Sequence, residues 1–290
     1  MQGYHEPVLL REILDALVVE NGQWYLDCTL GDGGHSLAIL REGGNIVGLD
    51  VDPQALKRAE NRFSEEGIDQ NRFKLIRGNF RDLKIKTETM FRGIIFDLGV
   101  SSLQLEDPNR GFSFSKDGPL DMRMDPQLGV TALDLIRGLN KGELYELFTK
   151  LGEEKHARAL AKALVSSSEI KTTEDLARLV EKVVVRRGKI HPATQIFQAL
   201  RIAVNDELNS LKEALPQAEE SLEKNGVICV ISFHSLEDRI VKTTFRNWQE
   251  RGLGETLKKP IIPNGEEIYN NPRSRSAKLR VFRKSTHDNT

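Results

Sequence analysis

The chain is short of cysteine, aromatic residues and net charge, and each shortage closes off a class of protein. Two cysteines, Cys28 and Cys229, in 290 residues do not make a disulfide framework. Each lies in an apolar run that reads as a buried strand, so both are expected as buried thiols. No CxxC and no HExxH occurs, so no metal is expected. Acids number 43 against 42 lysines and arginines. Net charge therefore argues neither for nor against a nucleic-acid partner, and local clusters must carry that question. No apolar run approaches a membrane span, and Met1 to Leu10 has neither a basic start nor a long apolar segment. A cytoplasmic protein with no membrane partner is expected. The 39% apolar content suits one large domain, or one domain carrying a second as an insert.

What is present is organised around Trp24 to Ser36. An apolar run short enough for one buried strand breaks into Gly31, Gly33 and Gly34. A helical pattern of Leu37, Ile39 and Leu40 follows. Strand, glycine turn, helix is how a nucleotide-binding α/β domain begins. Three further short apolar strands are read at Asn45–Asp50, Phe73–Gly78 and Gly93–Gly99, with a helix opening at Pro53. Another helix is read over residues 8–19, just after Pro7. Strands alternating with helices predict a parallel sheet covered on both faces.

The rhythm then stops. Residues 106–126 are rich in Gly, Pro, Asp and Arg and read as an ordered loop. Helical patterns follow: Leu144, Leu147 and Phe148; then Ala157, Leu160, Ala161 and Leu164; then a helix with Thr173 as its cap. A long amphipathic helix is expected from Ile196 through Leu211. Residues 106–212 thus read as a helical insert within a domain made of 1–105 and 213–290. The alternation resumes with a fifth strand at Gly226–Phe233 and a helix through Trp248. Two weaker strands are read around Pro260–Pro263 and Ala277–Lys284.

The glycine turn does not match G-x-G-x-x-G, because position 36 is serine. Its surroundings say more. Asp27, Asp50, Asn79-Phe80 and Asp97 stand at or just after successive strand ends, so each offers a group to one crevice. Asp50 has the position expected of a carboxylate that accepts ribose hydroxyls. Asp27, Asp32, Asp50, Asp52 and Asp97 concentrate negative charge, and no lysine lies between Gly31 and Gly44. A pyrophosphate is a poor guest there. A cation carrying a ribose and an amino acid, such as S-adenosylmethionine, is a better one.

Seven motifs now carry a resemblance. They are His5-Glu6-Pro7-Val8-Leu9-Leu10, Gly31-Asp32-Gly33-Gly34-His35-Ser36, Asp97-Leu98-Gly99-Val100-Ser101-Ser102, Arg110-Gly111-Phe112-Ser113-Phe114, Gly118 to Asp125, Ser232 to Arg239, and Asn271 to Ser276. In this order they resemble the MraW/RsmH family, bacterial methyltransferases that modify a cytosine N4 in small-subunit ribosomal RNA. The resemblance implies a class I methyltransferase fold, a Rossmann-like doubly wound α/β sheet with an inserted helical domain. It implies S-adenosylmethionine held by Gly33, Gly34, His35, Asp50, Phe80, Asp97 and Gln104. Asp32 is assigned no role, because the family often has a basic residue there.

The implied reaction is attack by an exocyclic amine on a sulfonium methyl group. Asp97 is the first candidate to accept from N4 as positive charge develops, with a backbone carbonyl near Leu98 second. The chain departs from the Asp/Asn-Pro-Pro-aromatic pattern of many amino-methyltransferases: it has Asp97-Leu98-Gly99-Val100. Phe112, Phe114 and His234 are candidates to stack on the target base, with core packing the plainer reading of the two phenylalanines. Ser235 is not read as a nucleophile, since no G-x-S-x-G elbow occurs.

Two acid-free basic stretches are candidate RNA contacts. One includes Arg186 and Arg187, between Lys182 and Asn205. The other, Ile268 to His287, holds Arg273, Arg275, Lys278, Arg280, Arg283 and Lys284. The partner expected is small-subunit ribosomal RNA or a ribosomal particle, and the sequence is compatible with a monomer and with a homodimer. Two other functions fit parts of the pattern: a non-catalytic RNA-binding assembly factor on the same fold, and a nicotinamide-dependent dehydrogenase. The intact strand-end residues count against the first, and the acid-rich turn without its third glycine counts against the second.

Overall fold

Short apolar runs become strands here because both faces of the sheet are covered. The structure, a computed structural model, describes residues 4, 6–86, 89–167, 169–185 and 191–286. Its strands are β1 (Trp24–Asp27), β2 (Asn45–Asp50), β3 (Phe73–Arg77), β4 (Phe91–Asp97), β5 (Leu222–Ser232), β6 (Gly254–Thr256) and β7 (Lys278–Lys284). They form one sheet in the order β3-β2-β1-β4-β5-β7-β6. The first five are parallel, and β7 runs antiparallel between β5 and β6. This is the class I methyltransferase arrangement, a Rossmann-like doubly wound sheet.

Successive side chains in a strand point to opposite faces, so a strand covered on both sides is apolar throughout. In β4, Ile94 and Phe96 join one core cluster and Ile95 the other; in β5, Ile228 and Val230 alternate with Cys229 and Ile231 in the same way. One face packs on Ala214, Leu215, Phe245 and Trp248, and the other on Ile13, Leu17, Leu40 and Phe63. Both cysteines are buried and unpaired, as expected. Burial pushes the Cys28 thiol well above its ordinary value and Cys229 up to about 12.

The chain divides into two compact units, residues 1–99 with 208–290, and residues 100–207. The second lies in the connection from β4 to its parallel neighbour β5. It is helical. Ala132–Gly138, Lys141–Lys150, Ala157–Val165, Thr173–Val183 and Ala193–Asn205 surround a core that includes Phe148, Leu160, Leu176, Ile196 and Leu200. The Gly/Pro-rich segment before them is ordered by its own polar contacts. Arg110 donates to the carbonyls of Arg123 and Met124 at 3.0 and 2.9 Å, and the Asn205 side chain donates to Met122 O at 2.7 Å.

Several sequence expectations need correction. The expected cap Thr173 is inside its helix. Thr172 is the cap and forms a reciprocal box with Asp175, while Thr173 donates its hydroxyl to Lys116 O at 3.2 Å. The long helix from Ile196 through Leu211 breaks at Asp206, which has φ 49°. A half-buried two-point pair spans the break, Arg201 to Glu207 at 2.8 and 2.9 Å. Residues 260–263 form a single bridge, Ile261 to Leu279, rather than a strand, and Gly254–Thr256 is a strand the apolar pattern does not show. Among the described residues no helix is long and apolar enough to cross a membrane.

The C-terminal strand is also where the basic tail meets its acids. Arg280 is buried, with Nε 2.6 Å from Asp238, and Lys278 reaches the same carboxylate at 3.3 Å. Lys284 pairs with Glu219 at 3.1 Å. Arg280→Ala leaves a half-buried Asp238 with the lysine alone. It is expected to lower unfolding stability by about 3 kcal/mol, read as a shift of the urea midpoint.

Candidate active site

The carboxyl ends of β1, β2 and β4 lie side by side, because β1 pairs with β2 on one edge and β4 on the other. That is the switch point at which open α/β sheets bind ligands. Asp27, Asp50 and Asp97 end these three strands. The turn after β1 is tied to both neighbours. Cys28 N donates to Ile95 O and Leu30 N to Leu49 O, each at 2.9 Å. Thr29 Oγ1 accepts from the Asp97 N–H at 2.6 Å.

Each carboxylate has its own setting. Asp27 is buried; its Oδ2 accepts from Ser36 Oγ at 2.7 Å and its Oδ1 from Thr29 N at 3.2 Å. Burial raises its pKa, and the nearby Asp97 adds to the rise, against the Ser36 and Thr29 hydrogen bonds and His35. Asp50 accepts from Gly31 N at 2.8 Å and from Asp52 N at 2.9 Å, so it straps the glycine turn to β2. Burial pushes Asp50 up to about 6; the carboxylates of Asp52 and Asp27 add to this, and the two backbone donors oppose it. Asp97 is partly open, 27% exposed, yet its Oδ1 is buried without a hydrogen bond among the described residues.

His35 stands beside Asp97, with Nε2 3.5 Å from Asp97 Oδ2. Its ring is buried, and neither nitrogen has a hydrogen bond among the described residues. Buried polar atoms without partners are rare, and a cluster of them marks a place for a ligand or ordered water. Phe80 follows β3 in a short 3-10 turn and packs edge-on against Phe96, with centroids 5.6 Å apart.

The glycines serve packing more than the sequence suggests. Gly33 has φ 75°, and a Cβ there meets the Phe63 ring at 2.8 Å; a Cβ on Gly34 meets Pro7 at 2.5 Å. The turn is thus pressed against the helix Pro53–Glu65 on its far side. Asp32 points the same way, 3.3 Å from Arg62 and 3.8 Å from Arg58. Among the described residues no side chain caps the helix Gly34–Arg41 that follows.

The other sequence candidates lie elsewhere. Gln104 belongs to the second unit, buried in the helix Ser102–Glu106, where its side-chain oxygen accepts from Ser101 N at 3.1 Å. Phe112 is buried in the core of that unit. Phe114 stacks on His191 at 4.5 Å and meets Phe197 edge-on at 5.1 Å. His234 caps the helix Ser235–Glu250. Arg273 and Arg275 are exposed on the 3-10 turn Pro272–Ser276. Arg186 and Arg187 lie outside the described residues. Sequence reasoning missed Thr29 and Ser36, whose hydroxyls hold Asp97 and Asp27. Their only signal is position, inside or just after the glycine turn. No group of His, Cys, Asp and Glu able to hold a metal occurs among the described residues.

Gly33→Ala forces a left-handed residue and a clash with Phe63. It is expected to cost about 2 kcal/mol, seen as a lower melting temperature, and Phe63→Leu in the same chain is expected to recover part of it.

Comparison with known proteins agrees with this geometry. A protein from Synechococcus sp. (strain JA-2-3B'a(2-13)) named ribosomal RNA small subunit methyltransferase H is 47% identical, over 97% of this chain and 92% of its own. One of the same name from Coprothermobacter proteolyticus is 44% identical, over 98% and 97%. A crystal structure of an rRNA-methylase candidate from Clostridium thermocellum superposes with a TM-score of 0.50 at 11% identity, over 99% of this chain and all of that one, and supports the fold alone. The sequence model of the MraW methylase family matches residues 2–285. A match of that extent, on a chain whose strand-end carboxylates and glycine turn form one crevice, leads to one conclusion: the chain belongs to the MraW methylase family.

Proposed function

We propose that this chain transfers a methyl group from S-adenosylmethionine to the exocyclic N4 of a cytidine in small-subunit ribosomal RNA. The observation that carries the reading is the crevice of three strand-end carboxylates with an unsatisfied Asp97 oxygen, in a member of a methylase family. The relatives' name supplies the RNA class. A cytoplasmic location is part of this reading.

The residues present fit the cofactor. Asp97 Oδ1 is an orphaned acceptor suited to the ammonium of the methionine part. The uncapped start of the helix Gly34–Arg41, with Gly34 and His35 in its first turn, suits the carboxylate. Asp50 keeps free lone pairs for the ribose hydroxyls, and Phe80 offers a ring to the adenine. The acids around the turn favour a cationic guest and repel a pyrophosphate. Gln104 as a cofactor contact rests on the resemblance alone.

When bound, the cofactor supplies an electrophilic methyl group on a sulfonium. The chain's own part is alignment and electrostatics. Near-attack alignment is worth up to roughly 7–11 kcal/mol. Cytosine N4 is a poor nucleophile because its lone pair is shared with the ring. Asp97 accepts a hydrogen bond from N4 and stabilises the positive charge that grows there. The helical unit and the exposed Arg273 and Arg275 serve RNA recognition, and Arg186 and Arg187 are proposed to join them.

The test of the function is mass-spectrometric mapping of ribosomal RNA from cells lacking the protein, with the purified chain and labelled cofactor added back. Loss and recovery of one N4-methylcytidine is expected; an unchanged map sinks the reading. Asp97→Asn is expected to lower kcat roughly a hundredfold at saturating cofactor. Unchanged turnover there removes the catalytic role.

Asp50 gives the cofactor affinity a pH dependence. Its pKa is raised to about 6, and the ionised form is the better acceptor for two hydroxyls. Affinity is therefore full above that value and falls about tenfold per unit as pH drops below it. Calorimetric titration of Asp50→Asn is expected to show weaker binding at pH 7.5 and no such fall between pH 7 and 5.

A further inference from the structure

We propose that a second pocket, at the carboxyl end of β5 and the amino end of β7, takes one nucleotide of the RNA strand, with the base among Phe233, Ile262, Pro263 and Ile268 and the phosphate at Arg275. The proposal rests on the RNA methyltransferase reading above.

The pocket has a volume of about 310 Å³, at the lower end of ligand sites. Its walls are built, not incidental. Residues 260–263 are pinned by Ile261 and Leu279, which exchange N–H···O bonds of 2.9 Å in both directions. The helix Gly265–Asn270 is anchored by Glu267, whose Oε1 accepts from Leu9 N at 2.7 Å. The turn Pro272–Ser276 is held by the buried Ser274, whose Oγ donates to Asn271 O at 2.8 Å. These anchors leave Ile262 64% exposed at the pocket's edge. A large apolar side chain held out in water beside a ring is a surface suited to a base.

The charge of the lining selects the occupant. The cofactor crevice is acidic. No acid lines this pocket; its ionisable side chains are His234, Arg275 and Lys278. Lys278 shares Asp238 with Arg280. Arg275 has no ion pair and no hydrogen bond among the described residues, and it is exposed. Its planar fork of donors is therefore available to a phosphate. An apolar cleft with a free guanidinium at its rim fits a nucleotide better than a free amino acid or a cation.

Position agrees. Ile231 pairs with Asp97 across β5 and β4. Phe233 directly follows the end of β5, so the pocket opens at the same carboxyl edge of the sheet as Asp97.

The test uses the full chain and small-subunit ribosomal RNA, with initial rates of methyl transfer. Arg275→Gln and Ile262→Glu are each expected to raise the RNA KM about tenfold or more, with S-adenosylmethionine affinity unchanged by calorimetry. Arg275→Gln is also expected to lower the salt slope by about one. Ultraviolet cross-linking of the wild-type complex is expected to mark the peptides holding Phe233 or residues 260–268. An unchanged KM in Ile262→Glu, with active wild type, overturns the pocket; exposure of Ile262 makes misfolding a poor excuse. A raised KM in Arg275→Gln alone, with inorganic phosphate competing as well as cytidine monophosphate, reduces the site to an anion contact and also overturns it. A wild-type chain that methylates no small-subunit RNA fails the underlying reading instead.

Discussion

The site depends on holding negative charge in a place that burial makes hostile to it. Asp27, Asp50 and Asp97 end three neighbouring parallel strands, so the sheet itself brings them together. Burial pushes Asp50 up to about 6, and the neighbouring Asp52 and Asp27 carboxylates add to the rise. What keeps the cluster assembled is a short set of donors from the turn after β1: Gly31 N to Asp50, Thr29 N and Ser36 Oγ to Asp27, with the Thr29 hydroxyl accepting from Asp97 N. The same turn is pressed from behind by Phe63 and Pro7, where only glycine fits. Turn, acids and helix packing are thus one unit, and the balance left over is a site suited to a cation.

The other half of the sheet carries the basic tail, on β7 and on the turn Pro272–Ser276 before it. Most of that basic charge is used internally. Arg280 and Lys278 meet Asp238, Lys284 meets Glu219, and Arg283 reaches the carbonyls of Asn225 and Ala16 at 3.4 and 3.3 Å. Arg275 is left over, beside an apolar pocket without acids. Acidic crevice on one side and an acid-free pocket on the other suit a cationic cofactor and an anionic polymer used in the same reaction.

How much of this was legible varies by element. The inner parallel strands could be read because they are covered on both faces, which makes them largely apolar; the edge strand β3 is only half covered, with Lys74 exposed. β6 could not, since Gly254–Thr256 is a short edge strand with no apolar run. The helix cap at Thr172 was misread by one residue because Thr172 and Thr173 carry the same side chain, and only the reciprocal bond with Asp175 separates them. The acid-free run from Ile268 to His287 read as a candidate RNA contact, but acids distant in sequence meet much of it. Asp238 lies about forty positions from its two partners.

The sequence by itself determined the fold class, the family and the strand-end acids of the crevice, because these depend on local order: apolar runs, glycines at a turn, a residue at a strand's end. Tertiary structure alone decided which charges remain available, which hydroxyls hold the carboxylates, and where the glycines press. Those are matters of neighbours brought from far along the chain, and a linear reading has no measure of them. The stretch from Trp24 to Ser36 shows both sides. Its glycines announced a ligand turn, yet two of them are spent on Phe63 and Pro7, and the backbone of the third donates to Asp50.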